Sequence, residues 1–223
     1  MYKFEAQEAA PMCARVLKVL LTQAPTRGRP GSNLRTAVGD FLANSRMLLQ
    51  NDLSGPPLDR IFELARLTGI SIAQFDGVIS EAAKETPKTI GATIIKNAMI
   101  QFCIAAQSRI LVDVTFVSRN DVDAVKRKMN GSFSAVEEIA ADNMAQDTYQ
   151  ILIGLHAAVV FFLTETARPL PLMLRYRFFE PLPTLVMAYR LYADASRADE
   201  LRNENRNVHP AFMLLTGRAL AHG

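Results

Sequence analysis

The chain is 223 residues long, with 49% hydrophobic and 21% charged residues and a net charge of +3. These are the proportions of a soluble globular protein with one or two domains and a full core. The small positive excess lacks the dense basic stripe of a nucleic-acid binder, although Arg15, Lys18, Arg27, Arg29 and Arg35 fill the stretch 11–38 without one acid.

Apolar spacing at Met12, Val16, Val19 and Leu20 predicts a first helix over 9–23. The glycines and prolines of "APTRGRPGSN" (24–33) predict a loop, with Ser32 or Asn33 capping a second helix through Leu34, Val38, Phe41, Leu42 and Leu48. "SGPP" (54–57) opens a short helix over 58–67 that Gly69 ends, and a further short helix covers 72–84. Ile90, Ile94, Met99, Phe102, Ala106, Ile110 and Val114 then mark a long helix with a broad apolar face. It weakens at "DVTFVSRN" (113–120), where Ser118 or Asn120 caps the next helix. That helix carries a stripe of Val122, Val125, Met129, Phe133, Val136, Ala140 and Met144, with Gly131 as a bend or break.

Residues 145–166 are apolar on nearly all sides, which predicts a central helix. Their greasiest run, "ILIGLHAAVVFFL" (151–163), is short of the roughly twenty residues a bilayer requires. The other apolar stretch, 98–117, holds Arg109 and Asp113. Both are expected as buried helices, and no membrane span is expected. Glu5, Glu8 and Lys18 interrupt the opening residues, so no signal peptide is expected either.

At Pro169 and Pro171 the pattern changes. Leu174, Tyr176 and Phe178 alternate with Arg175, Arg177 and Phe179, which predicts a short strand or an extended linker over 172–179. A helix over 184–192 follows, with Tyr189 and Tyr192 one turn apart on a shared face. "ADA" closes it. Ser196 is expected to cap a second helix with Asp199 three residues on, and Asn205 to end that helix in left-handed geometry. Pro210 blocks continuation, and Phe212, Leu215 and Leu220 return as an extended piece around Gly217. The expected fold is mainly α: a multi-helix body over 1–167 and a small strand-helix-helix-strand unit over 168–223.

Few residues are arranged for chemistry. Cys13 and Cys103 have no partner at metal spacing and read as buried free thiols. His156 sits in the apolar helix without an acid or nucleophile at helical spacing and reads as a packed histidine. His209 precedes a proline, and His222 lies at the terminus. "GRPGS" (28–32) lacks the ending of a phosphate loop and reads as a turn. Glu137 and Glu138 are adjacent and do not share a helix face. No catalytic residue, cofactor or metal site is expected.

The stretch "LPTLVMAYRLYADASRADELRNENRNVHPAF" (182–212) resembles the C-terminal signature of the DNA circulation (circularisation) proteins of Mu-like, contractile-tailed phages. The matched positions are Leu182, Pro183, Ala188, Arg190 to Tyr192, Asp194 to Leu201, Asn205, Arg206, His209, Pro210 and Phe212, with Ala193 and Ala211 standing where that family has glycine. "TFVSRNDVDAV" and "DTYQILIGLHAAVVFFL" are similar to the same family's helical middle, whereas its β-rich N-terminal domain has no counterpart in the helical first hundred residues. The segment is also similar, more loosely, to a LysM module, with "YRLYADAS" and "ELRNENRNV" in the places of its two helices.

The resemblance implies a virion structural protein of a phage tail, at the baseplate or tube end, made in the host cytoplasm and assembling with other tail proteins in a homo-oligomeric ring. Tyr189, Tyr192, Asp194, Ser196, Asp199, Asn205, His209, Pro210 and Phe212 are its motif residues. Arg27, Arg29, Arg35, Arg175 and Arg177 are the candidate contacts to acidic partners. DNA-end binding, which the family name implies, and peptidoglycan binding through the LysM-like end are the alternatives; the modest charge disfavours DNA.

Overall fold

The computed structural model describes residues 1–25 and 27–221. It is mainly helical, in the order α1 (Lys3–Gln23), α2 (Gly28–Gln50), α3 (Gly55–Leu67), α4 (Ile72–Lys84), α5 (Ile90–Ile110), α6 (Arg119–Asp142), α7 (Gln146–Ala167), β1 (Met173–Arg177), α8 (Thr184–Tyr192), α9 (Ala198–Glu204) and β2 (Thr216–Leu220). The chain packs as two units. One comprises Met1–Val114 and Ser132–His156, the other Thr115–Gly131 and Ala157–Gly223, so α6 and α7 each contribute to both.

In the first unit α1 packs on α2, α4 and α5, α2 on α3, and both α3 and α4 on α5. Phe41, Phe62, Phe75, Leu17 and Met12 are fully buried between them. Acids on α1 also close the start of α5. Glu8 accepts from the Lys88 and Thr89 amides at 2.7 and 3.0 Å and from Thr89 Oγ1 at 2.6 Å, and Glu5 accepts from the Gly91 amide at 3.0 Å. The Thr89 hydroxyl, first among these contacts, holds the Glu8 carboxyl below its ordinary range.

Several local expectations change. α1 starts six residues early because its first buried positions are Ala6, Ala9 and Ala10, which carry little hydrophobic signal. The expected loop at 28–33 is the opening of α2. Gly28 takes φ 78°, Pro30 falls in the first turn where its missing N–H costs nothing, and neither Ser32 nor Asn33 is a cap. Ile90 and Ile94, placed on the apolar face of α5, are exposed. Ser118 is the cap of α6, its Oγ taking the Asp121 amide while Asp121 Oδ2 takes the Ser118 amide. Asn120 instead accepts from the Met173 amide at 2.7 Å. Gly131 leaves α6 unbroken.

The largest change concerns α7. It runs 22 residues, long and apolar enough to cross a membrane by length and composition alone. Yet it is not a central helix: Leu152, Val159 and Leu163 are buried, whereas Ile151 and Phe161 are 71% and 68% exposed.

Candidate interaction surface of the C-terminal unit

The second unit holds the motif residues. β1 and β2 pair antiparallel, with Arg175 opposite Arg218 and Tyr176 opposite Gly217. α8 and α9 cover one face of this ribbon, and Tyr176, Met187, Ala188, Tyr192, Leu201, Met213 and Ala219 form the core. Beyond its parts of α6 and α7, the unit therefore runs strand, helix, helix, strand, with β1 confined to residues 173–177 of the wider extended stretch expected.

Alternation along the ribbon puts Tyr176 and Ala219 inward and Arg175, Arg177 and Arg218 on the opposite face. Leu174 shares the Tyr176 side but is exposed. Arg175 and Arg177 have no ion pair among the described residues, and directly opposed like charges are unfavourable by a few tenths of a kcal/mol.

Inside, the two tyrosines of α8 part company. Tyr192 is 9% exposed and Tyr189 is 64% exposed, so the edge of the core runs between two residues expected to share a face. The Arg197 guanidinium lies 3.9 Å over the Tyr192 ring and is fixed by Glu200 at 2.6 Å. The Tyr176 and Tyr192 hydroxyls are buried, and burial pushes both phenols above their ordinary pKa.

The caps also differ from those expected. Asp194, not Ser196, is the capping residue: its Oδ1 takes the Ser196 amide at 2.8 Å and its Oδ2 the Ser196 hydroxyl at 2.9 Å, starting a 3₁₀ turn (Ala195–Arg197) that feeds α9. Asp199 is exposed and pairs with Arg202 at 3.0 Å. Asn205 ends α9 with φ −97°, and Arg206 takes the left-handed position at φ 49°. Asn205 has a larger task, since Nδ2 donates to the carbonyls of Leu201 and Arg218 and Oδ1 accepts from the Arg218 amide, all at 2.8 Å. A Cβ at Gly217 would overlap Asn205 Oδ1 and the Tyr176 ring, so only glycine fits there.

The His-Pro motif closes the unit. The Pro210 carbonyl accepts from both the amide and hydroxyl of Thr184 at 2.8 Å, capping α8 from the far end of the segment. His209 is exposed, with its ring 6.1 Å from that of Phe212, and Phe212 and Leu215 are exposed rather than packed. Ala193 ends α8 at φ 55°, in the left-handed region.

Of the other basic candidates, Arg27 and Arg29 are exposed at the start of α2 and Arg35 is exposed further along it, all in the first unit. That helix has no acid in its first turn, so cations stand where the helix dipole favours anions. Local spacing also missed a partner of His156. Its Nδ1 lies 2.9 Å from Glu137 Oε1 on α6, and its ring stacks on Phe133 at 4.7 Å. Glu137 is 19 positions away on another helix, beyond any i, i+4 reading. Among the described residues no group of three or more His, Cys, Asp or Glu could hold a metal. Burial raises the Cys13 thiol to about 12 and the Cys103 thiol further. His222 lies outside the described residues.

No protein-family model matches the chain, and a search of curated proteins returns no match.

Proposed function

We propose that this chain is a structural component of a contractile phage tail, acting at the baseplate or tube end through contacts with other protein subunits. The observation that carries the reading is the outward face of the β1–β2 ribbon. Arg175 and Arg177 lack acidic partners and face the same way as Arg218, an arrangement that costs stability in the isolated chain and is offset when an acidic surface covers it. The sequence signature adds support. Ala193 is left-handed at the position where the resembled family carries glycine, and Asp194, Asn205 and Pro210 each make a cap or edge contact that explains why their residue types recur in that signature.

The test is location. Labelled antibody or cryo-microscopy should place the chain at the tail tip, and its absence from mature particles would overturn the proposal. Within the particle, charge reversal by Arg175→Glu with Arg177→Glu should block incorporation while leaving the isolated protein folded.

A second reading, glycan binding by a LysM-like module, is favoured by the strand-helix-helix-strand order and by a cleft of about 330 Å³ between Thr184, Leu185, Asp199, Arg202 and Pro210. Sedimentation of the full chain with purified peptidoglycan distinguishes it, because the tail-assembly reading requires no binding. DNA-end binding is tested by mobility of linear DNA at low salt, where a salt-dependent shift is its signature.

A further inference from the structure

A separate cleft in the second unit, about 520 Å³, is lined by Arg119, Arg168 and Arg197 and walled by apolar residues including Leu170, Pro171 and Leu172. No acid lines it. Arg168 and Arg197 each pair with a glutamate of their own segment, Glu165 at 3.1 Å and Glu200 at 2.6 Å. Arg119 differs. It has no carboxylate partner among the described residues, its Nη2 reaches only the Arg168 carbonyl at 3.3 Å, and its Nε is buried without a hydrogen-bond partner. A guanidinium with no carboxylate partner favours an oxyanion, and the Nη end of Arg119, not the enclosed Nε, is the part that a ligand in the cleft can reach. Arg119 is also the first residue of α6, where the helix dipole adds positive potential.

We propose that this cleft receives a single carboxylate flanked by apolar side chains, supplied by an acidic segment of another protein subunit. One uncompensated guanidinium matches one carboxylate. A nucleic-acid backbone would instead call for a row of unpaired cations, and the apolar wall suits leucine-like neighbours of the acid. The inference rests on the assembly reading only in taking its carboxylate from a protein.

The test uses the full ¹⁵N-labelled chain and follows the Arg119 Nε–H resonance during titration with acetyl-Leu-Glu-Leu-amide, acetyl-Leu-Gln-Leu-amide and inorganic phosphate. The glutamate peptide should shift it saturably and bind roughly tenfold more tightly than the glutamine peptide. Equal response to the two peptides, or none, overturns the site, and tighter binding of phosphate overturns its carboxylate assignment. Arg119→Gln should abolish the peptide response read at Arg168 and Arg197, and an unchanged response again overturns it. Should Arg119→Gln fail to fold, the two-peptide comparison on the unaltered chain decides. Absence of the chain from particles leaves the titration result standing, and a failed titration leaves the location test standing, so the two failures are distinguishable.

Discussion

Asn205 and Arg218 pair as two strands would, although one contributes a side chain. The Asn205 amide gives to the Arg218 carbonyl and takes from the Arg218 N–H, both at 2.8 Å, and so supplies β2 with partners on the edge away from β1. Asn205→Ala removes these two bonds and the one to Leu201. It should destabilise the C-terminal unit by about 1–3 kcal/mol, seen as faster amide hydrogen exchange along β2.

Gly217→Ala attacks the same junction by volume. The added methyl would meet Asn205 Oδ1 and the Tyr176 ring, so β2 must shift or the tyrosine must leave the core. Loss of about 2 kcal/mol or more in denaturant unfolding is expected. Wild-type stability in this variant would show that the ribbon is looser than described.

Ala193→Gly should act in the opposite direction. A left-handed alanine is strained and a left-handed glycine is not, so the substitution should stabilise the unit by about 1 kcal/mol. A lower unfolding midpoint would contradict the φ of 55° at this position.

The alkaline limb of stability should belong to Tyr176 and Tyr192. Burial raises both above the ordinary value of 10 in the folded state. The folded protein therefore retains protons that the unfolded chain releases, and stability falls as pH rises above 10 through the raised folded pKa. Below pH 10 this contribution is complete. Tyr176→Phe combined with Tyr192→Phe should flatten that limb in urea titrations at increasing pH.

Along α7, hydrophobicity and burial are uncoupled. Phe161→Glu should change stability by no more than about 0.5 kcal/mol, whereas Leu163→Ala should cost about 2–5 kcal/mol. Comparable losses at both positions would restore the central-helix reading.

These contrasts mark how far local sequence carries. The helices of the first unit are legible because Leu34, Val38 and Phe41, or Leu58, Ile61 and Phe62, repeat at one turn and are buried accordingly. The strand at 173–177 follows from alternation, and the strand-helix-helix-strand order from the spacing of caps and prolines. What spacing cannot supply is the identity of distant partners. Nothing near His156 in sequence announces Glu137, nothing near Asn205 announces Arg218, and nothing near Thr184 announces the Pro210 carbonyl. Side chains with one obvious local task, such as the expected capping by Ser196, are displaced when a neighbour does it better, here Asp194. Burial of α7 departs from its sequence because apolarity measures what a helix could cover, not what the fold provides to cover it. The Arg119 cleft was invisible for the same reason, since its three guanidinium groups come from three separated segments.

The return of Pro210 to Thr184, and of β2 to β1, gives the unit a temporal order. A ribosome releases β1 and α8 first, with the strand unmatched and the helix start unsealed until residues 210–220 emerge. The segment cannot mature piecemeal during translation. It closes only once residues 210–220 are available, and until then its bare strand is open to mispairing.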